Sequence, residues 1–279
     1  MTTARLYGSP ATAPAPDASS LYAAYATVHS ALRSFMWTAQ VTEVPPAPLA
    51  SSFEFVPERS YFVGGAEEPD LLLPASNTLQ KQVACGLIGS VYCVAPCYRR
   101  EPPERSATSA LHTFHQIEVE LQGADAAAAR DTALALLGEI SAQFCGRDLG
   151  TVATLDLLDL AVPPTHDTYD KWLAETVDPA VATWVLHLPQ NPFFVVNSAV
   201  PGTHLSETFE LLLPDGFGEV LSGGHRDPGT AADLWRRAGQ SPSATPPPSS
   251  GFGIGVERLV AWLLRQRDLR DVVLPHWRV

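Results

Sequence analysis

The sequence predicts an α+β protein, a β-sheet flanked by helices and folded as one unit. Three observations carry this. Residues 112–122 alternate, with Phe114, Gln116, Glu118 and Glu120 on one face of a strand and His115, Ile117, Val119 and Leu121 on the other. Leu21, Tyr25, Val28, Leu32 and Phe35 recur at helical spacing, and 124–144 is an alanine-rich stretch suited to another helix. Residues 251–259, Gly-Phe-Gly-Ile-Gly-Val-Glu-Arg-Leu, read as a glycine-spaced strand running straight into a helix. At 279 residues the chain buries one substantial core, with little left for a second domain.

In chain order, residues 1–20 are rich in Ala, Pro, Ser and Thr and lack a basic start or a leucine-rich core, so they read as a disordered tail before a single domain at 21–279. A first helix is predicted over Leu21–Trp37. Pro45, Pro46 and Pro48 then forbid helix and leave 43–49 extended. Leu71–Leu87 reads as a strand end followed by a helix, with Ser76 or Asn77 as cap. Its buried stripe would be Leu79, Val83 and Leu87, with Lys81 roughly opposite. Strands at 90–101 and 112–122 are joined by a polar loop. Further strands are predicted at Phe193–Asn197, Glu207–Leu213 and Gly218–Ser222, and 242–250 is a proline/serine linker. Residues 145–191 carry no functional signal.

Composition narrows the class. With 46% hydrophobic and 17% charged residues the chain is that of a soluble globular protein, and no apolar run approaches the roughly 20 residues that span a bilayer. The formal charge of −12 counts against a nucleic-acid partner, because such binding draws on phosphate neutralisation. Cys93 and Cys97 share a strand face, but no second Cys/His pair follows at zinc spacing. They read as buried thiols in a reducing cytosol, and a cytoplasmic location is expected.

The chemistry-bearing residues lie on strands. One aromatic and two acids on the Phe114–Glu120 face suit either an edge strand facing water or the floor of an active site. Arg99 and Glu101, sharing a face of the partner strand, favour the floor. Glu210 and Glu219 sit on two short strands, where hard oxygens suit Mg²⁺ and Ser222 can add a ligand; solvated turn acids flanking Pro214-Asp215-Gly216 are the other reading. Arg258 follows the glycine-spaced strand, as a phosphate partner or a surface ion pair.

Together Tyr98-Arg99-Arg100-Glu101, His112 to Glu118 and Gly251 to Leu259 resemble the catalytic core of a class II aminoacyl-tRNA synthetase of the aspartyl/asparaginyl branch, over roughly residues 20–279. The resemblance implies an antiparallel sheet flanked by helices, without the anticodon-binding barrel that precedes it in those synthetases. It implies ATP and Mg²⁺, and a homodimer through the first helix and the proline segment. Arg99 would hold the α-phosphate and the substrate carboxyl, Glu101 the adenine amino group, Phe114 the adenine ring and Arg258 the γ-phosphate. Glu210, Glu219 and Ser222 would hold the metal. Lys81 and Arg226 would trap a second carboxylate on the substrate, and Glu118 would bind its α-amino group with Ser76 helping. The pattern departs at Thr78, where the family has glutamine, at Ser249, where it has histidine, and at Pro275-His276-Trp277-Arg278, where it ends in Phe-Pro-Arg. His112 and His225 fall in the same region as further candidates for proton transfer.

The implied reaction joins a carboxylate to ATP as an acyl-adenylate. The leading expectation is a ligase that adenylates aspartate or an aspartate-like acid and passes the acyl group to ammonia or a small amine. Transfer to tRNA or a carrier protein, and an inactive regulatory paralogue, are the alternatives.

Overall fold

The computed structural model describes residues 14–50, 59–63, 71–101, 110–191, 196–237 and 246–277. Helix α1 (Ala18–Thr38) starts where the Asp17 carboxylate accepts the Ser20 N–H at 2.7 Å, so it begins inside the segment expected as tail. It buries Leu21, Tyr25, Val28, Leu32 and Met36. Strand β1 (Thr42–Glu43) leads into the proline segment, and β2 (Tyr61–Phe62) pairs with β3 (Leu72–Leu73) in a small separate sheet. Then follow α2 (Thr78–Ile88), β4 (Val91–Tyr98), β5 (Thr113–Gln122), α3 (Ala126–Ser141), β6 (Ala153–Asp156), α4 (His166–Thr176), β7 (Thr183–Leu186), β8 (Thr208–Leu213), β9 (Gly218–His225), α5 (Pro228–Arg237), β10 (Ser249–Gly255) and α6 (Val256–Leu263).

Eight strands form the main sheet in the order β1-β4-β5-β10-β9-β8-β7-β6. The run from β4 to β7 is antiparallel throughout, and only the two outermost pairs, β1–β4 and β6–β7, are parallel. Alternation divides the sheet's faces as predicted. Ile117, Val119 and Leu121 of β5 and Phe252 and Ile254 of β10 join α1, α3 and α6 in the main core. The opposite face of the same strands carries Gln116, Glu118 and Glu120. A smaller core cluster, built on Leu157, Val185, Leu188, Leu205 and Leu212, takes in Tyr169, Trp172 and Leu173 of α4.

One expectation is corrected. Helix α2 is turned from its predicted orientation: Lys81, Gln82 and Cys85 are buried with Leu79, while Leu87 is 75% exposed. The physical reason is an ion pair, described below, that draws the lysine inward. The stretch 145–191 is also organised, holding β6, α4 and β7. Most of the strand predicted at Phe193–Asn197, the loop at 102–109, residues 238–245 of the linker region and Arg278 lie outside the described residues.

Candidate active site

The polar face of the sheet floors a cavity of about 600 Å³, walled by α2 on one side and α4 on another. Ser76, Thr78, Lys81, Arg99, Glu101 and Glu118 line it, as do Glu210, Glu219, Ser222 and Arg226. Of the predicted site residues, Phe114 and Arg258 do not. The Phe114 ring lies beneath the Arg99 guanidinium, 5.0 Å from centroid to Cζ. Arg258, in the first turn of α6, donates to the Phe217 carbonyl at 3.1 Å, beside the turn that joins β8 to β9.

Arg99 and Glu101 sit just beyond the end of β4. Arg99 donates through Nε to the Ala75 carbonyl at 3.0 Å, and Glu101 accepts from Arg59, a residue to which sequence reasoning gave no role. His112 and His225 are not among the lining residues. His112 Nδ1 lies 3.1 Å from the Tyr61 hydroxyl and His225 Nδ1 lies 3.0 Å from Ser250 Oγ. The histidine on the cavity wall is His166, which begins α4.

On the α2 side the two expected cations are already matched. Lys81 Nζ donates to Glu118 Oε2 at 2.6 Å and to the Phe252 carbonyl at 2.9 Å. Arg226 makes a bidentate pair with Glu120, both bonds 2.9 Å, and Asn197 Oδ1 accepts from its third nitrogen at 2.5 Å. Ser249, standing where the family carries histidine, donates to Glu120 at 2.8 Å. Glu118 also accepts from Ser76 Oγ at 2.9 Å and the Asn77 N–H at 3.3 Å. Burial alone would push the Glu118 carboxyl up. The Lys81 charge and these hydrogen bonds win, and hold it below the usual carboxylate range. Lys81 and Arg226 thus form a balanced cluster with Glu118 and Glu120, each buried charge beside an opposite one.

The glycines of β10 make this cluster possible. A Cβ on Gly251 would stand 1.9 Å from Glu120 Oε2 and 2.7 Å from Arg226 Nη2, and one on Gly253 would stand 3.2 Å from Glu118 Oε2. The glycine spacing leaves room for the ion pairs as well as for a ligand.

On the α4 side the acids have no such match among the described residues. Glu210 is buried and its register partner across the sheet is Ser222; a shift in register between Leu211 and Leu212 then pairs Leu212 with Glu219. Burial first, and the Glu219 charge second, push the Glu210 carboxyl well above its ordinary range, against the opposing effect of a hydrogen bond donated by Tyr169. Tyr169, Asp167 and Asp170 of α4 line the same wall, all missed from sequence. As a donor set for a divalent cation, two converging carboxylates and a serine hydroxyl fit, since a cation would relieve the repulsion that raises Glu210.

A family profile described as tRNA synthetases class II (D, K and N) matches residues 12–230. The chain belongs to that family. The asparagine–tRNA ligase of Chloroflexus aurantiacus is 27% identical, over 71% of this chain and 56% of its own length, so the chain spans about half of that relative. Among solved class II structures, an asparaginyl-tRNA synthetase from Pyrococcus horikoshii complexed with asparaginyl-adenylate superposes with a TM-score of 0.70 at 17% identity, covering 92% of this chain and 68% of that one. The Entamoeba histolytica asparaginyl-tRNA synthetase gives 0.72 at 18% identity, covering 92% and 67%. At such identity these synthetase structures speak for the fold.

Proposed function

We propose that the protein is an AMP-producing ligase that adenylates aspartate or an aspartate-like acid and transfers the acyl group to ammonia or a small amine. The observation that carries this is that Arg99, Glu101, Ser76, Glu118, Glu210 and Glu219 line one cavity. A carboxylate oxygen of the acid attacks the α-phosphorus of ATP and pyrophosphate leaves. The amine then attacks the acyl carbon, forming the amide and releasing AMP and a proton. Arg99 stabilises the charge that grows on the α-phosphate and orients the attacking carboxylate, while Phe114 and Glu101 hold the adenine. Glu118 and Ser76 receive the α-amino group, and Thr78 borders it. Arg258 meets the γ-phosphate. When bound, Mg²⁺ at Glu210, Glu219 and Ser222 would neutralise phosphate charge.

The balanced cluster bears on the acid. A second carboxylate would bring one more negative charge to two matched pairs, so a neutral amide side chain joins aspartate as a candidate for the space beside Lys81 and Arg226. The names of the relatives favour transfer to tRNA as the second reading. Its acceptor would be tRNA in place of the amine. The same proposal includes a homodimer, in which a second copy would cover the open cleft of about 890 Å³ between α1, β1 and the proline segment.

ATP–pyrophosphate exchange tests the reading, with L-aspartate, L-asparagine and N-substituted aspartates compared. Exchange with at least one is expected, and Arg99→Ala should lower it about 10²–10³-fold, the usual loss for one donor aimed at developing charge. Adding ammonia, amines or tRNA then identifies the acceptor. Absence of both exchange and ATP binding would leave the inactive paralogue.

A further inference from the structure

We propose that Tyr169 is a positioning residue: its hydroxyl holds one carboxylate oxygen of Glu210, leaving the other directed to a nucleotide-bound divalent cation shared with Glu219. This rests on the nucleotide reading above, and it adds to it a residue from α4, a segment without functional signal in the sequence.

Three observations carry it. Among the described residues, Tyr169 supplies the one hydrogen bond to the Glu210 carboxylate. Its ring is anchored independently of that bond, stacked on Trp172 at 6.0 Å between centroids with planes 24° apart and packed against the smaller core cluster. Ring and hydroxyl therefore face different tasks. Finally, α4 has no fully buried residue, so the tyrosine serves as its polar tie to the sheet at the point where β8 presents an acid. A glutamate has three rotatable bonds, and fixing one oxygen removes freedom that a cation would otherwise have to remove on binding.

A double-mutant cycle on metal binding tests this. Mn²⁺ affinity would be measured by calorimetry on the whole protein with a non-hydrolysable ATP analogue present, for wild type, Tyr169→Phe, Glu210→Gln and the double variant. Tyr169→Phe should weaken Mn²⁺ about tenfold, the loss of one hydrogen bond to a charged group, and should have no further effect in the Glu210→Gln background. Affinity for the analogue without metal should stay unchanged. Trp172→Phe, which trims the stacking partner and keeps the hydroxyl, should bind Mn²⁺ within about twofold of wild type.

Wild-type affinity in Tyr169→Phe overturns the proposal. So does an equal loss in both backgrounds, or a loss in Trp172→Phe that matches Tyr169→Phe, since packing would then explain the effect. If wild type exchanges pyrophosphate yet fails one of these criteria, the nucleotide reading survives and the role of Tyr169 does not. If wild type binds no Mn²⁺–nucleotide, both fall.

Discussion

On the α2 side of the cavity, Lys81 and Arg226 meet Glu118 and Glu120 one for one, with serine and asparagine side chains filling the remaining hydrogen-bond positions. On the α4 side, Glu210 faces Glu219 with a single tyrosine hydroxyl for support. Both sides share one sheet and one cavity, and both bury carboxylates. The first is complete as it stands, each buried charge offset by a partner. The second leaves two acids beside one hydroxyl, the excess that the proposed cation would balance. Buried acids are thus held in opposite ways on the two sides, and the difference can be measured.

The largest effect should come from breaking the matched side. Arg226→Ala strands Glu120 in the interior and is expected to cost about 3–5 kcal/mol in chemical denaturation. Adding Glu120→Gln should recover part of that loss. A cost below about 1 kcal/mol would mean that the pair is solvated and the comparison fails.

Next comes Glu210→Gln, which should raise stability by about 1–2 kcal/mol near neutral pH without divalent cations, because it removes an acid that the fold holds against ionisation while the unfolded chain ionises it freely. The pH dependence fixes the sign. The folded value of Glu210 is raised, so the folded state binds more protons, and stability falls as pH climbs from the ordinary carboxylate range through the raised value. The variant should lose that decline. Glu118 has the opposite slope: its folded value is lowered, so its contribution is present above the ordinary range and lost as pH falls through the folded value.

The smallest effect sharpens this. Ser76→Ala removes one donor to Glu118 and should cost about 0.5–1 kcal/mol at pH 7, with the difference from wild type vanishing in acid. A difference that persisted in acid would place the serine's contribution elsewhere.

Much of this arrangement was legible in the residues. Strand β5 could be read because alternation is strict there, so the acids fell on one face and the aliphatics on the other, and β10 announced itself by glycine at every second position. The pairing could not be read the same way. Glu120 showed its face but not its partner, since Arg226 lies far along the chain and meets it only through the order β5-β10-β9. Helix α2 was misjudged for a related reason: apolar periodicity placed Leu87 inside, yet burial of the Lys81–Glu118 pair fixes which side turns inward. Helix α4 escaped notice because it packs by an edge only. Tyr169, Trp172 and Leu173 stand at helical spacing, and Thr165 and Thr168 close a capping box, signals available in the sequence but weak among so many polar neighbours.

Gly251, against the Glu120–Arg226 pair, and Gly223, against Gly251, narrow the paths by which this site can be redesigned. With a Cβ at Gly251 meeting Glu120 at 1.9 Å and one at Gly223 meeting the Gly251 carbonyl at 2.4 Å, neither position can take a side chain without displacing its neighbours. Variation has to run through the surrounding residues, and there in couples, since exchanging Glu120 or Arg226 alone leaves a charge without its mate. A library that varies Glu120, Arg226, Asn197 and Ser249 together would therefore keep these charges and hydrogen bonds matched where one that visits them in turn would not.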